Sequence, residues 1–144
     1  MRDVDLPDIN VWLALADPDH AHHARAKKYW NKESAARLAF TRVSMLGMIR
    51  LLTNRHVMRE EPFTVAQAWK AYQSLLDLPE ILFLSEPESA EASMREWSEE
   101  KGFPPSRLTD AWLAAVAYTT RSRLVSFDAD YSRFPKLAFL HLKP

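Results

Sequence analysis

The fold is decided by one short stretch near the start of the chain, Leu6-Pro7-Asp8-Ile9-Asn10-Val11-Trp12-Leu13-Ala14-Leu15. Residues 4–6 are predicted as a strand, because Pro7 biases the residue before it toward extended geometry. Residues 10–15 are predicted as an apolar helix. Asp8 then lies at the carboxyl end of a strand, where open α/β sheets bind their ligands. An acid directly before a helix is also a good N-cap, so this position alone leaves a ligand site and a cap as alternatives.

The composition bounds the class of protein. A chain of 144 residues with 47% hydrophobic and 26% charged residues is expected to form a single globular domain over residues 1–144. The absence of cysteine excludes disulfides and thiolate metal sites. No apolar run approaches the roughly 20 residues that a membrane span needs, and the N-terminus lacks the apolar region of a signal peptide. We therefore expect a cytoplasmic protein that does not use a membrane.

A net charge of zero conceals segments of opposite sign. Residues 1–16 have net charge −2 and residues 17–59 have +6, whereas residues 60–100 have −8 and residues 101–144 have +4. This pattern differs from that of a wholly basic nucleic-acid binder. A basic face beside an acidic centre and a solvated surface with scattered charges are both compatible with it.

The rest of the chain alternates predicted strands and helices. Four further strands are predicted, over residues 35–41, 81–84, 123–127 and 137–142. Five further helices are predicted, over residues 20–32, 43–52, 65–76, 89–101 and 110–120. Thr64 and Thr109 are predicted N-caps, and Gly102 is predicted to close the helix before it. This alternation indicates an α/β fold with a mostly parallel sheet covered by helices on both faces.

Further acids follow the same arrangement as Asp8. Asp110 falls in the first turn of a predicted helix, and Asp128 and Asp130 directly follow the predicted strand over residues 123–127. Strand ends and helix starts meet at one edge of a parallel sheet, so these carboxylates are expected to converge there. Taken singly, Asp110 also suits a helix dipole, and Asp128 and Asp130 also suit a turn.

Three stretches together resemble the PIN domain and, more narrowly, the VapC-type toxin ribonucleases of type II toxin-antitoxin systems. They are Asp8-Ile9-Asn10-Val11, Leu108-Thr109-Asp110-Ala111-Trp112-Leu113-Ala114-Ala115-Val116-Ala117 and Leu124-Val125-Ser126-Phe127-Asp128-Ala129-Asp130. The resemblance covers nearly the whole chain and implies a three-layer PIN-like fold. It also implies a metal-dependent endoribonuclease that hydrolyses RNA phosphodiester bonds, a small VapB-like antitoxin as partner, and a homodimer.

By this resemblance Asp8, Asp110 and Asp128 are the catalytic acids and the ligands of Mg²⁺ or Mn²⁺. Their chemistry agrees, because clustered carboxylates repel one another unless a cation neutralises them, and carboxylate oxygens suit Mg²⁺. Such a metal can activate water and polarise a phosphoryl group. We predict that Asp130 supplies a fourth carboxylate.

One position departs from the family pattern. Members usually carry a further acid early in the helix after the second strand, but Met45 occupies that place, and no Asp or Glu lies between Glu33 and Glu60. This departure supports an alternative function, a PIN-like RNA- or protein-binding module with weak or lost catalysis. In the same helix Arg50 either contacts a phosphate of the substrate or is a solvated or salt-bridged side chain. Asn10 either orients a metal-bound water, as a substrate-binding residue, or caps its helix.

The histidine-rich stretch, residues 19–23, is a rival metal site. His20 and His23 would share a helix face, which suits a transition metal, but no Glu motif or other His lies at ligand spacing, so we favour an exposed helix start. The tryptophans are predicted to pack in the core rather than to stack on bases; they are Trp12, Trp30, Trp69, Trp97 and Trp112.

Overall fold

Five parallel strands form the centre of the protein, in a computed structural model that describes residues 3–144. The strands are β1 (Val4–Pro7), β2 (Arg37–Phe40), β3 (Ile81–Phe83), β4 (Arg123–Ser126) and β5 (Phe139–His141). Their spatial order is β3-β2-β1-β4-β5, and every neighbouring pair is parallel. The predicted α/β class is confirmed. The chain leaves β1 toward β2 on one side and reaches β4 on the other, so the order reverses between β1 and β4, and this is where open sheets form their ligand crevice.

Six α-helices cover the sheet in the part of the chain that the structure describes. They are α1 (Ile9–Ala16), α2 (His23–Lys32), α3 (Arg42–Leu52), α4 (Val65–Leu76), α5 (Ala90–Ser98) and α6 (Leu108–Thr119). Two 3-10 turns, Pro105–Arg107 and Ala129–Arg133, precede α6 and follow β4. Within residues 3–144, none of these helices has the length and apolarity to cross a membrane.

Alternation along the strands divides the apolar interior into two layers. Leu38 and Phe40 of β2 pack with α1 to α4, whereas Ala39 between them packs with α5 and α6. Val125 and Leu124 of β4 divide in the same way. The sheet is therefore covered on both faces, and its strand ends are left to form an edge.

Helix boundaries account for most of the differences from the sequence prediction. Helix α2 begins at His23 rather than His20, because residues 17–22 form turns in which Asp17 accepts the backbone N–H groups of Asp19 and His20. Helix α6 begins at Leu108, directly after a 3-10 turn, so Thr109 lies inside the helix and is not its cap. Helix α5 ends at Ser98, before the predicted end at residue 101.

Of two predicted helix signals, the cap at Thr64 is confirmed. Thr64 caps α4 by accepting a hydrogen bond from the N–H of Gln67, whose side chain in turn accepts from the N–H of Thr64. This reciprocal pair is a capping box. Gly102 has a φ of 85°, in the left-handed region that glycine favours, but it lies beyond Glu99, the C-cap of α5, and does not close that helix as predicted.

A buried ion pair lies toward the amino end of the sheet. Asp5 of β1 is fully buried, and its two oxygens accept hydrogen bonds from Nε and Nη2 of Arg123, each at 2.9 Å. The same carboxylate accepts from the hydroxyl of Tyr29 at 2.6 Å and from the N–H of Ala35 at 2.9 Å. Asp5 thus joins β1, β4 and α2, and belongs to the frame of the fold.

Candidate active site

The predicted acids lie along the carboxyl edge of the sheet. Asp8 directly follows β1, and its backbone N–H donates to the carbonyl of Val125 in β4 at 2.8 Å. Asp128 lies two residues after the end of β4, and Asp110 lies in the first turn of α6. The acids therefore occupy the region where the strand order reverses.

Asp8 is a nearly buried carboxylate, 7% exposed. One oxygen accepts from the N–H of Ile9 at 2.8 Å, which makes Asp8 the N-cap of α1, and the other accepts from the hydroxyl of Ser126 at 2.8 Å. Burial raises the pKa of Asp8 from 3.8 to about 6, the two hydrogen bonds lower it by less, and the charge of Asp110 raises it further. Asp8 is therefore the N-cap of α1, and its carboxylate is close enough to Asp110 for the charge of Asp110 to raise its pKa.

Ser126 and Asn10 connect the ends of β4 and β1. The Ser126 hydroxyl donates to Asp8 and accepts the backbone N–H of Asp128 at 2.9 Å. The Asn10 amide donates to the Ser126 hydroxyl at 3.3 Å, and its oxygen lies 3.5 Å from the N–H of Phe127. Asn10 is the second residue of α1 and does not cap it. Nothing in the sequence distinguishes Ser126 from an ordinary buried strand residue.

Tyr131 lies behind the acids and is 1% exposed. Its hydroxyl donates to Oδ1 of Asp110 at 3.1 Å. Burial and the negative charges of Asp8 and Asp110 raise the pKa of Tyr131, so the hydroxyl keeps its proton and acts as a neutral donor. No predicted strand or helix includes Tyr131, and its only sequence signal is an aromatic residue directly after Asp128-Ala129-Asp130.

Arg107 brings the outer acids together. Its Nη1 donates to Oδ2 of Asp110 at 2.8 Å and to Oδ2 of Asp128, and its Nη2 donates to Oδ2 of Asp130. The hydrogen bonds to Asp110 and Asp128 hold the pKa of Arg107 above its ordinary value. Burial is the largest single influence on the pKa of Asp128 and raises it, but the hydrogen bond and charge of Arg107, together with the backbone N–H of Asp130, outweigh burial and lower that pKa. Sequence reasoning missed Arg107, since an Arg before a helix has no distinctive pattern.

The donor set suits a hard divalent cation, although the side chains are not arranged around one point. Among residues 3–144, no three His, Asp or Glu side chains converge closely enough to hold a metal ion as they stand. The outer three acids instead face the nitrogens of Arg107. Asp8, by contrast, accepts only from neutral N–H and O–H groups in the part of the chain that the structure describes. A buried carboxylate in this setting fits a cation, and its oxygens are the ligands Mg²⁺ prefers.

Met45 and Arg50 lie on α3, which begins at the same edge and runs away from it. Met45 is 3% exposed and packs in the core layer of α1 to α4, with its sulfur 3.7 Å from Nη1 of Arg42. Arg50 is exposed in the last turn, eight residues from the helix start and therefore roughly 12 Å along the axis. Among residues 3–144, no hydrogen bond or ion pair joins the Arg50 side chain to the acids.

The histidines do not form a joint site within residues 3–144. His20 and His23 do not share a helix face, because α2 starts at His23. His23 contacts the carbonyl of Ala14 at 2.7 Å, and the His22 ring stacks on Phe127 with centroids 4.9 Å apart. Trp69 also differs from prediction: it is 46% exposed, whereas Trp12 and Trp97 are buried as predicted.

Comparison with known proteins gives consistent results. The family model of the PIN domain matches residues 6–137. The chain is 36% identical over 135 residues to Ribonuclease VapC41 of Mycobacterium tuberculosis, covering 90% of this chain and 92% of that protein. It is 32% identical over 133 residues to Ribonuclease VapC39 of the same species, covering 86% and 88%.

Two solved structures share the fold. VapC20 of Mycobacterium tuberculosis, described as a Sarcin-Ricin loop cleaving toxin, has a TM-score of 0.70 at 20% identity and covers 98% of this chain and 99% of its own. VapBC2 of Rickettsia felis, bound to a DNA fragment from its promoter, has a TM-score of 0.69 at 12% identity and covers 97% and 99%. At these identities the likeness concerns the fold.

Proposed function

The chain belongs to the PIN-domain family, and from this premise we propose that it is a VapC-type toxin, an endoribonuclease that depends on Mg²⁺ or Mn²⁺. Two relatives that align with most of the chain, VapC41 and VapC39, are named ribonucleases. Their similarity supports a hydrolase that cuts RNA phosphodiester bonds. The finer points, which are the metal, the residues and the partners, are argued from the geometry.

The observation that carries the proposal is the group of four carboxylates at the carboxyl edge between β1 and β4. They belong to Asp8, Asp110, Asp128 and Asp130, and among residues 3–144 only the outer three contact a cationic side chain, that of Arg107. Asp8 is buried, and its neighbours are neutral donors. A bound cation would neutralise this carboxylate and lower the cost of its burial.

We assign the metal to Asp8, Asp110 and Asp128, with Asp130 as the fourth carboxylate. When bound, Mg²⁺ or Mn²⁺ supplies an activated water and neutralises charge on the scissile phosphate. Ser126 and Tyr131 hold Asp8 and Asp110 by hydrogen bonds that survive in the neutral pH range, because neither hydroxyl ionises there.

Two further residues are proposed to contact the RNA. Asn10 reaches the edge with an amide whose bonds to β4 are long, 3.3 to 3.5 Å, which leaves it able to exchange them for a substrate oxygen. Arg50 is exposed on α3, where it would contact a phosphate away from the scissile bond.

The proposed partners are an RNA substrate, a small VapB-like antitoxin and a second copy of the chain. Similar folds occur in toxin-antitoxin complexes from Rickettsia felis and Salmonella typhimurium. Helices α3 and α4 expose large apolar side chains, with Leu46 52%, Val65 60% and Trp69 46% exposed. Such a face suits a protein interface and is proposed to serve the antitoxin or the dimer.

An RNA- or protein-binding module with weak or lost catalysis is the alternative function. Met45 favours it, because Met45 is buried in the core and α3 offers no carboxylate to the edge. A module of this kind would retain binding without hydrolysis.

The two functions are separated by an RNA cleavage assay with purified protein. We expect cleavage in Mg²⁺ or Mn²⁺ that chelator abolishes and that Asp8→Asn lowers by about 100-fold or more, as for loss of a group on which the metal depends. Asp3→Asn is the matched control, since Asp3 is an exposed acid with the same side chain. Asp130→Asn in the same assay tests the fourth carboxylate.

Cleavage that persists in chelator and in Asp8→Asn would contradict the metal mechanism. Binding of RNA without cleavage by the wild-type protein, at any concentration of either metal, would favour the module. Unchanged cleavage and metal affinity in Asp130→Asn would remove Asp130 from the ligand set.

A further inference from the structure

Arg107 contacts three of the four carboxylates of the proposed metal site. Its guanidinium donates to one oxygen each of Asp110, Asp128 and Asp130. These acids come from two separate segments, the start of α6 and the turn after β4. A planar guanidinium with five N–H donors is suited to such a multiple contact, and a lysine ammonium is not.

Among the four carboxylates, that of Asp110 contacts both the inner side, toward Asp8, and the outer side, toward Arg107. Oδ1 of Asp110 accepts from Tyr131 on the inner side, near Asp8, while Oδ2 accepts from Arg107 on the outer side. A cation held by Asp8 and Asp110 therefore uses a carboxylate that Arg107 already holds. A cation that also binds Asp128 must compete with Arg107 for that carboxylate as well.

We propose that Arg107 is a built-in counter-ion that competes with the divalent cation for Asp110 and Asp128, so that it sets the cation concentration at which the site loads. The proposal rests on the metal site of the proposed function. The absence of three converging ligands within residues 3–144 agrees with it, because the acids are spread around a guanidinium.

The Arg107 side chain has room to move away from the acids. Its side chain is 28% exposed, and those of Asp128 and Asp130 are 30% and 51% exposed, so the guanidinium has a path to solvent. Because only the fraction of molecules with displaced Arg107 binds the cation at full strength, the apparent affinity falls by that fraction.

The test measures Mn²⁺ affinity directly, by electron paramagnetic resonance of free Mn²⁺, with no RNA present. We expect Arg107→Met to bind Mn²⁺ about tenfold more tightly than wild type, the factor that corresponds to losing one charge-assisted contact. Arg107→Lys keeps the positive charge but lacks the planar set of N–H donors, so its Mn²⁺ affinity is expected to lie between those of wild type and Arg107→Met.

Arg133→Met is the matched control. Arg133 is exposed in the neighbouring 3-10 turn, and its guanidinium lies 5.7 Å from the ring centroid of Phe103 rather than on the acids. The Arg133→Met variant removes one positive charge from the same region without removing a contact to the acids. Any change in its Mn²⁺ affinity therefore measures the long-range electrostatic effect alone. We expect a change of less than about twofold.

A second measurement is the melting temperature of each protein, with and without Mn²⁺. Without metal, Arg107→Met is expected to unfold at a lower temperature than wild type, because the outer carboxylates lose their counter-ion, and Mn²⁺ is expected to raise its melting temperature by more than that of wild type. If Arg107→Met does not fold without metal, Arg107→Lys serves for both measurements.

The outcomes separate this inference from the proposed function. Equal or weaker Mn²⁺ binding by Arg107→Met, with clear binding by wild type, overturns the competition and leaves the metal site standing. No Mn²⁺ binding by wild type or by any variant overturns both. Tighter binding by Arg107→Met than by Arg133→Met supports the competition.

Discussion

Among single residues, Asp8 combines a structural and a chemical task. It caps α1 and is 7% exposed, and burial raises its pKa from 3.8 to about 6. Between those two values the folded protein binds more protons than the unfolded chain, so the free energy of unfolding falls as pH rises. The stabilisation is fully present below pH 3.8 and is lost as pH rises through about 6, a difference of roughly 3 kcal/mol.

Asp8→Asn should remove this pH dependence, because an amide does not ionise. In metal-free protein the variant is expected to gain stability relative to wild type between pH 4 and pH 7.5, by up to roughly 3 kcal/mol. Urea unfolding of wild type, Asp8→Asn and Asp3→Asn at both pH values measures this change in the free energy of unfolding. A gap between wild type and Asp8→Asn that is equal at both values would argue against an elevated pKa.

At the scale of elements, the site depends on how closely α1 and α3 approach. A Cβ added at Gly47 of α3 would lie 2.3 Å from Cδ1 and 2.7 Å from Cγ1 of Ile9. Ile9 directly follows Asp8 and donates to its carboxylate. The glycine therefore provides room for the residue that opens α1.

Gly47→Ala is expected to lower the free energy of unfolding by about 1 kcal/mol or more, because overpacking exceeds the gain in helix propensity. In an Ile9→Ala background the clash is gone, and the same substitution should be neutral or stabilising by up to about 1 kcal/mol. Urea unfolding of the four proteins gives the coupling between the two sites. Equal losses in both backgrounds would show that Ile9 is not the cause.

Across the whole molecule, the two ends of the sheet have different tasks. Asp5 and Asp8 lie on the same chain segment, three residues and therefore about 10 Å apart. Asp5 is fully buried and bonded to Arg123, Tyr29 and Ala35, whereas Asp8 belongs to the carboxyl edge. The amino end joins β1 and β4 through a buried ion pair, and the carboxyl end holds the carboxylates of the proposed site.

Asp5→Ala should therefore cost stability without changing the site. We expect a loss of about 3–5 kcal/mol, as when one partner of a buried ion pair is removed, and a smaller cost for Arg123→Ala added to it than on its own. Mn²⁺ affinity of the folded variant should match that of wild type. Asp77→Ala, at an exposed acid bonded to Gln73, is the control; a changed Mn²⁺ affinity specific to Asp5→Ala would show that the two ends are coupled.

The sequence was sufficient to predict the order of strands and helices. Alternating apolar segments, Pro7 before Asp8 and the cap at Thr64 are local signals, and local signals act over a few residues. The same reasoning predicted that Asp110 and Asp128 would lie near Asp8. It did so because the carboxyl ends of parallel strands necessarily meet at one edge.

Helix boundaries and the exposure of side chains were harder to predict from the sequence. The start of α2 at His23 depends on hydrogen bonds to Asp17, and the start of α6 at Leu108 depends on the preceding 3-10 turn. The exposure of Trp69 depends on which face of α4 the sheet covers. Each of these is set by competition between local propensity and the packing of the whole chain.

What the sequence determined by itself is therefore the α/β architecture and the edge at which the acids gather. Only the tertiary structure decided their surroundings: Arg107 between the outer acids, Tyr131 on Asp110, Ser126 on Asp8 and the burial that raises the pKa of Asp8. Ser126 and Asp8 are 118 residues apart in the chain. No periodicity or motif records such a contact, because it arises when segments distant in sequence pack against one another and exclude water.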